Sequence, residues 1–276
     1  MPKSLVDMIK LHLETGETKL PPFNATALHI QREIGKEDPD VNLIEKLIVR
    51  DQALTGEVLR MANSSFYQGL VKVSTVRNAI VRLGINEVSN IVTMVTQEKN
   101  FHSKDPKINA VMKILWQHSV GCAFGAHWLA KHSGFRSLLH EAFFAGLLHD
   151  IGKLFIMTVL EDLKCSGQLS SQPSPELMNE VMVSLHCTYG EALMGRWNLP
   201  ERYCRVAGSH HDENFDIKDY HLLLVRIADQ ACNKLGIGFN PQETILLSVL
   251  PEAKLLGLSD LDLAQLEIYL EDHLLR

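Results

Sequence analysis

Long apolar runs are missing from this chain of 276 residues: no stretch of about 18 apolar residues occurs, so neither a membrane span nor a membrane partner is expected. A basic excess is missing too. Lys and Arg number 27 against 33 Asp and Glu, a net charge of −6. Residues 1–105 balance at 13 and 13, while residues 106–276 carry 14 and 20. Neither part offers the positive footprint of a nucleic-acid binder, so no nucleic-acid partner is expected and any phosphate recognition has to be local. Cysteine is sparse: Cys122, Cys165, Cys187, Cys204 and Cys232, with no pair at C-x-x-C spacing. An odd, scattered set, with no export signal after Met1-Pro2-Lys3-Ser4-Leu5, reads as free thiols in a reducing compartment, and a cytoplasmic location is expected. Strand patterning is also lacking, since clusters such as Val71-Lys72-Val73 are too short to build a sheet. What is present is 46% hydrophobic and 22% charged residues, which excludes disorder and is enough for one large core or two lobes.

The hydrophobic period is helical nearly throughout. Leu5, Met8, Ile9 and Leu13 form a first stripe. Asn24 is placed to cap a helix running to Ile34 and closed by Gly35; Asp40 is placed to cap the next. Ser74 opens a helix carrying Val76, Ala79, Ile80 and Leu83 that stops at Gly84. Asn63-Ser64-Ser65-Phe66-Tyr67 reads as a helix end packing its aromatics, with a binding surface as the alternative. A polar break near 100–106 divides the chain into an N-terminal helical lobe, 1–105, and a C-terminal helical lobe, 106–276. The second lobe opens with a long helix from about Lys107 to Ser133, continues from about Ser137 to His149, and restarts at Ser174-Pro175-Glu176. Further helices are expected near 188–196, 200–211, 217–235, 241–250 and 259–274. The 241–250 helix rests on Asn240-Pro241-Gln242-Glu243, which has the cap, first-turn proline and N3 glutamate of a helix start. The expected fold class is all-α, in two helical lobes.

Against this background His149-Asp150 is the feature that carries chemistry. It ends the apolar run Ala145-Gly146-Leu147-Leu148 and precedes Ile151-Gly152-Lys153. A buried unpaired carboxylate costs several kcal/mol or neutralises itself, and a divalent cation would remove that cost. Other ionisable residues lie in similarly apolar settings. His118 falls within the long helix, His186 follows Val181-Met182-Val183-Ser184-Leu185, His210-His211 end a helix, and Asp229 follows Leu222 to Ala228. Taken singly, each has a plain structural role: a core histidine at His118 or His186, a surface pair at His210-His211, and a partner of Arg226 or a backbone cap at Asp229. Together, five histidines and two aspartates exceed the donors of one metal and suit two, with Asp150 as the bridge because a carboxylate has two oxygens. Imidazole and carboxylate suit Fe, Mn, Ni, Zn or Mg, so the expected cofactor is a pair of divalent metal ions that polarise a phosphate ester and activate the attacking water. Lys153 either offsets phosphate charge or is solvated. His12, His29, His102, His127, His132, His140, His221 and His273 read as structural or exposed.

The order His118, His149-Asp150, His186, His210-His211, Asp229 resembles the H…HD…H…HH…D pattern of the HD superfamily of metal-dependent phosphohydrolases. The N-terminal part is similar to one branch, the HDOD domain of bacterial signalling proteins. That similarity is carried by Leu20-Pro21-Pro22-Phe23, Ile48 to Thr55, Leu59 to Tyr67 and Ser74 to Gly84. The resemblance implies one metal among His118, His149, Asp150 and Asp229, and a second among Asp150, His186, His210 and His211. It also implies catalytic roles for Asp150 and for Lys153, whose counterpart in related enzymes helps hold phosphate. A phosphate-ester or nucleotide ligand and a signalling protein partner follow from the same resemblance. The sibling HD-GYP branch, similar to cyclic di-GMP phosphodiesterases, follows its HH pair with a GYP segment. Here Asp212-Glu213-Asn214-Phe215-Asp216-Ile217 follows instead, so cyclic di-GMP hydrolysis is not implied. HDOD domains as a group often lose part of the metal set and act as non-catalytic regulatory modules through protein contacts. This chain keeps the whole set, so a phosphohydrolase and a regulatory module both stand as readings.

Overall fold

Short polar side chains start the helices. Asn24 accepts from the Ala27 amide at 3.1 Å, Asp40 from Asn42 and Leu43 at 2.9 and 3.0 Å, and Asp105 from Lys107 and Ile108 at 3.0 and 3.1 Å. Each satisfies amides that have no partner within the first helical turn. The computed structural model describes residues 4–15, 23–64, 67, 71–169 and 173–274, without the side chains of 13–15 and 273. Among these residues the regular structure is entirely helical, with no strand. The segments Leu20-Pro21-Pro22 and Ser65-Phe66 lie outside the described residues.

The chain forms two compact units. The smaller holds α2 (Ala25–Ile34), α3 (Val41–Val49), α4 (Gln52–Ala62), α5 (Val76–Leu83) and α6 (Ile85–Glu98). Within it α6 touches α2, α4 and α5. The α5 cap is Thr75 rather than Ser74, because the helix starts at Val76 and the Thr75 hydroxyl accepts from the Asn78 amide at 3.1 Å. Gly84 then ends α5 at φ +87°, a conformation that glycine adopts without strain. Asn63 braces its own loop: its side chain bonds the Leu59 and Val73 carbonyls and the Val73 amide.

The larger unit holds α1 (Leu5–Thr15), α7 (Pro106–His132), α8 (Leu139–Leu148), α9 (Ile151–Cys165), α10 (Pro175–Arg196), α11 (Glu201–Ser209), α12 (Tyr220–Lys234), α13 (Pro251–Leu255) and α14 (Asp260–Leu274). α7 packs on α8, α12 and α14, while α10 packs on α9 and α11. Phe143, Phe144 and Phe155 are 0–1% exposed at this core, each contributing roughly 1.5–3 kcal/mol by burial. The stretch Arg136–Cys165 is long and apolar enough, by length and composition, to cross a membrane. In the folded protein 89% of its most apolar window is buried, as befits a core helix pair.

Two further sequence expectations change. The helices expected from Ser174 and near 188–196 are one continuous helix, α10. The helix expected over 241–250 does not form; a single 3₁₀ turn, Leu247–Val249, and the short α13 replace it. Tertiary bonds take the groups that would start it. Asn240 Nδ2 donates to Asn179 Oδ1 at 2.7 Å, and the Gln242 amide donates to the Asn233 carbonyl at 2.9 Å.

Two glycines set how closely the helices around His149-Asp150 approach. A Cβ at Gly146 would lie 2.5 Å from the Cys122 carbonyl oxygen on α7, and one at Gly152 would run into the His186 carbonyl on α10. Only glycine lets α8 and α9 seat at this depth.

Candidate metal centre

His149 and Asp150 occupy the break between α8 and α9. Asp150 stands at the N-cap of α9 yet makes no capping bond with its side chain. A carboxylate that gives up such a bond has its oxygens committed elsewhere, here to the interior. The flanking helices bring the other sequence-nominated residues to the same place: His118 from α7, His186 from α10, His210 and His211 from the end of α11, Asp229 from α12 and Lys153 from the first turn of α9.

The two carboxylate oxygens of Asp150 face different histidines. Oδ2 lies 3.4 Å from His118 Nε2 and 3.5 Å from His149 Nε2. Oδ1 lies 3.4 Å from His186 Nε2 and 3.5 Å from His210 Nε2. Asp229 Oδ1 sits 3.1 Å from His118 Nε2. His211 packs its ring on His210 and His186, with centroids 4.1 and 5.1 Å away. Three groups of mutually close donors result among the described residues: His118, Cys122, His149 and Asp229; His186, His210 and His211; and His149, Asp150 and His210, which joins the other two.

The other ring nitrogen of each inner histidine is held by the backbone. Nδ1 donates to the Ile237 carbonyl from His118 at 2.8 Å, to Gly146 from His149 at 2.8 Å, to Met182 from His186 at 2.7 Å and to Val206 from His210 at 3.1 Å. A carbonyl only accepts, so each Nδ1 carries the proton and each Nε2 in the neutral ring is a bare lone pair. These lone pairs converge on a carboxylate, acceptor against acceptor. His149 Nε2 and Asp150 Oδ1 are buried with no hydrogen-bond partner. His186 Nε2 and His210 Nε2 are 3.3 Å apart, which two lone pairs do not favour without a cation between them. Backbone-anchored imidazoles of this kind are what metal sites use to fix the ligand tautomer. The donor set and its orphaned atoms fit divalent cations.

Electrostatics match the geometry. Burial pushes His149 and His186 down to about 3 against the opposing pull of Asp150, with Lys153 adding to the push on His186, so both are neutral lone-pair donors at neutral pH. Burial would also lower His118, but the Asp229 and Asp150 carboxylates overcome it and raise His118 to about 9. Asp150 is driven up by burial and further down by Lys153 and the histidines, and it stays ionised. Lys153 Nζ sits 2.5 Å from Asp150 Oδ2, so this lysine is an ion-pair partner of the cluster rather than a solvated side chain. A cavity of about 270 Å³ opens beside these groups, lined by Lys153, His186, His211 and Asp229 together with Asn233 and Phe239.

Several neighbours were not nominated from the sequence. Cys122 is one turn after His118 on α7, its Sγ 3.5 Å from His118 Nε2, and the H-x-x-x-C spacing is the signal that could have found it. Asn233 Nδ2 donates to Asp229 Oδ1 at 2.9 Å. Arg226 does not pair with Asp229; it pairs with Glu252 and donates to the His210 and Asp212 carbonyls at 2.8 and 2.9 Å, holding the end of α11. No sequence signal marks that role.

Residues 20–213 match the HDOD domain family. An uncharacterized protein of Treponema pallidum is 27% identical over 215 residues, 76% of this chain and 41% of that protein. The cyclic di-GMP phosphodiesterase CdgJ of Vibrio cholerae is 27% identical over 142 residues, 51% of this chain and 31% of its own length. The chain thus spans less than half the length of these curated relatives. An HDOD domain protein from Geobacter sulfurreducens shares the fold at a TM-score of 0.76 and 24% identity, over 97% of this chain and 93% of that one. A candidate metal-dependent phosphohydrolase from Shewanella amazonensis does so at 0.72 and 19%, over 97% and 98%.

Proposed function

This chain belongs to the HDOD domain family, and from that premise we propose that it is a bacterial signalling protein whose His/Asp cluster holds two divalent cations and hydrolyses a phosphate ester. The observation that carries this reading is the convergence of four backbone-anchored Nε2 atoms on the two oxygens of Asp150, with His149 Nε2 and Asp150 Oδ1 left without a hydrogen-bond partner. His118, His149 and Asp229 would hold one cation, His186, His210 and His211 the other, with one Asp150 oxygen toward each. Two such cations supply Lewis acidity toward a phosphoryl oxygen and a water acidic enough to attack phosphorus. The residues of the chain do the rest. The carbonyls of Gly146, Ile237, Met182 and Val206 keep the rings in the donor tautomer. Lys153 brings positive charge to the cavity wall, where a phosphate would sit, and the 270 Å³ cavity suits a small ester or one end of a nucleotide. Cyclic di-GMP is not the substrate favoured here, since His211 is followed by Asp212 to Ile217 with no GYP segment.

A second reading is supported by a specific contact. The Lys153 ammonium on Asp150 and a protonated His118 on Asp229 neutralise both carboxylates without any metal. The cluster could therefore persist as the core of a regulatory module that acts on a protein partner without turnover. Metal analysis of the purified protein separates the two, together with a screen of phosphodiesters, nucleotides and cyclic dinucleotides for the wild type and Asp150→Ala. Two metals per chain and turnover abolished by Asp150→Ala are expected. Less than one metal per chain sinks the dinuclear reading, and two metals without turnover favour the regulatory module.

A further inference from the structure

We propose that Cys122 is a sulfur ligand of the deep half of the cluster, so that this position takes a thiophilic cation, zinc or ferrous iron, rather than Mg²⁺ or Mn²⁺. The inference rests on the metal reading above and goes beyond its His/Asp donor set.

Cys122 is fully buried on α7, one turn from His118 and on the same helix face. Its Sγ lies 3.5 Å from His118 Nε2, and the donor atoms of His118, Cys122, His149 and Asp229 all fall within 4.8 Å of one another. Neighbouring donors on a cation with bonds of about 2.0–2.3 Å stand roughly 3–4 Å apart, as Cys122 Sγ and His118 Nε2 do at 3.5 Å. A second, independent observation points into the same space: His149 Nε2, on a residue 0% exposed, has no hydrogen-bond partner. The close seating of α8 on α7 brings them together, because Gly146 leaves no side chain against the Cys122 carbonyl. To the two imidazoles and the carboxylate oxygens of Asp229 and Asp150 the thiolate adds a fifth donor, within the roughly four to six that such cations take. Thiolate donors select zinc and iron, whereas magnesium and manganese take oxygen-rich sets. On binding, the S–H bond breaks and the S–metal bond forms. Sulfur keeps the electron pair, the proton leaves to solvent, and no redox change is involved.

A second thiol provides the internal control. Cys187 Sγ is 3.4 Å from His186 Nε2, but the mutually close donors of that half are the imidazoles of His186, His210 and His211.

The test is cobalt substitution of the full chain. Wild type should show a near-ultraviolet sulfur-to-cobalt charge-transfer band. Cys122→Ser should lose it and Cys187→Ser should keep it. The preference for Zn²⁺ over Mn²⁺ in competition should fall by at least about tenfold in Cys122→Ser. Cobalt bound to wild type without the band, or a band lost only in Cys187→Ser, overturns the sulfur ligand and leaves the metal cluster standing. A wild type that takes up no cobalt, zinc or iron overturns both. Because a polar replacement in this core can fail to fold, zinc X-ray absorption on the wild type tests the same ligand without a variant. A sulfur shell at about 2.3 Å is expected, and a shell of nitrogen and oxygen alone overturns the proposal.

Discussion

The deep half of the cluster and the half that opens on solvent place the same imidazole Nε2 in different company. In the deep half His118, His149 and Asp229 are 0–3% exposed, and a carboxylate, a thiol and a backbone-held ring surround one point. In the other half His186 and His210 are buried but His211 is exposed, and the donors are imidazoles with one Asp150 oxygen. The adjoining cavity borders both halves, through His118 and Asp229 of one and His186 and His211 of the other. Asp150 joins the two, so a change on either side is felt by the other.

Changes in the deep half should cost most. Asp229→Ala removes the partner of a protonated, buried His118. The expected loss is about 3 kcal/mol in urea unfolding of the metal-free protein, at the low end for a broken buried pair because the imidazolium can shed its proton. A loss below about 1 kcal/mol would mean that the pair does not form. Gly152→Ala strikes the other half from beneath, driving a methyl into the His186 carbonyl, and should cost about 1–3 kcal/mol with loss of metal from the open half only. His221→Gln tests a charged group away from the cluster. His221 Nε2 meets Glu141 Oε2 at 2.7 Å, and although burial would lower it, Asp219 and Glu141 raise it to about 9. Its folded value exceeds its unfolded one, so its stabilisation is complete below about pH 6.5 and is lost as pH rises through 9. The gap between wild type and His221→Gln, about 1 kcal/mol at pH 6, should close above pH 9 in thermal melts. His211→Ala should be the mildest, within about 0.5 kcal/mol, while lowering metal occupancy toward one per chain. An equal loss in His211→Ala and Asp229→Ala would erase the distinction between the halves.

Much of the fold was legible because helix caps and apolar stripes are local. Asn24, Asp40 and Gly84 act where their spacing says they should. Where a distant group competes, the local signal fails. Asn240-Pro241-Gln242-Glu243 is a sound helix start, yet Asn179 and Asn233 claim its side chain and amide, and no helix forms. For the candidate site, the residue types and their apolar settings were readable, and all seven meet in space. What they do to one another was not: Lys153 pairs with Asp150, Arg226 serves the His210 carbonyl instead of Asp229, and Cys122 stands among the donors.

Sequence alone determined that this is a helical chain carrying an ordered series of histidines and aspartates in apolar surroundings, because helical period and side-chain chemistry are properties of short stretches. Tertiary structure alone decided which nitrogen of each ring faces inward, which histidines share each oxygen of Asp150, and that His118 is held protonated while His149 is not. Those outcomes depend on carbonyls, carboxylates and burial supplied by segments as many as 119 residues apart along the chain.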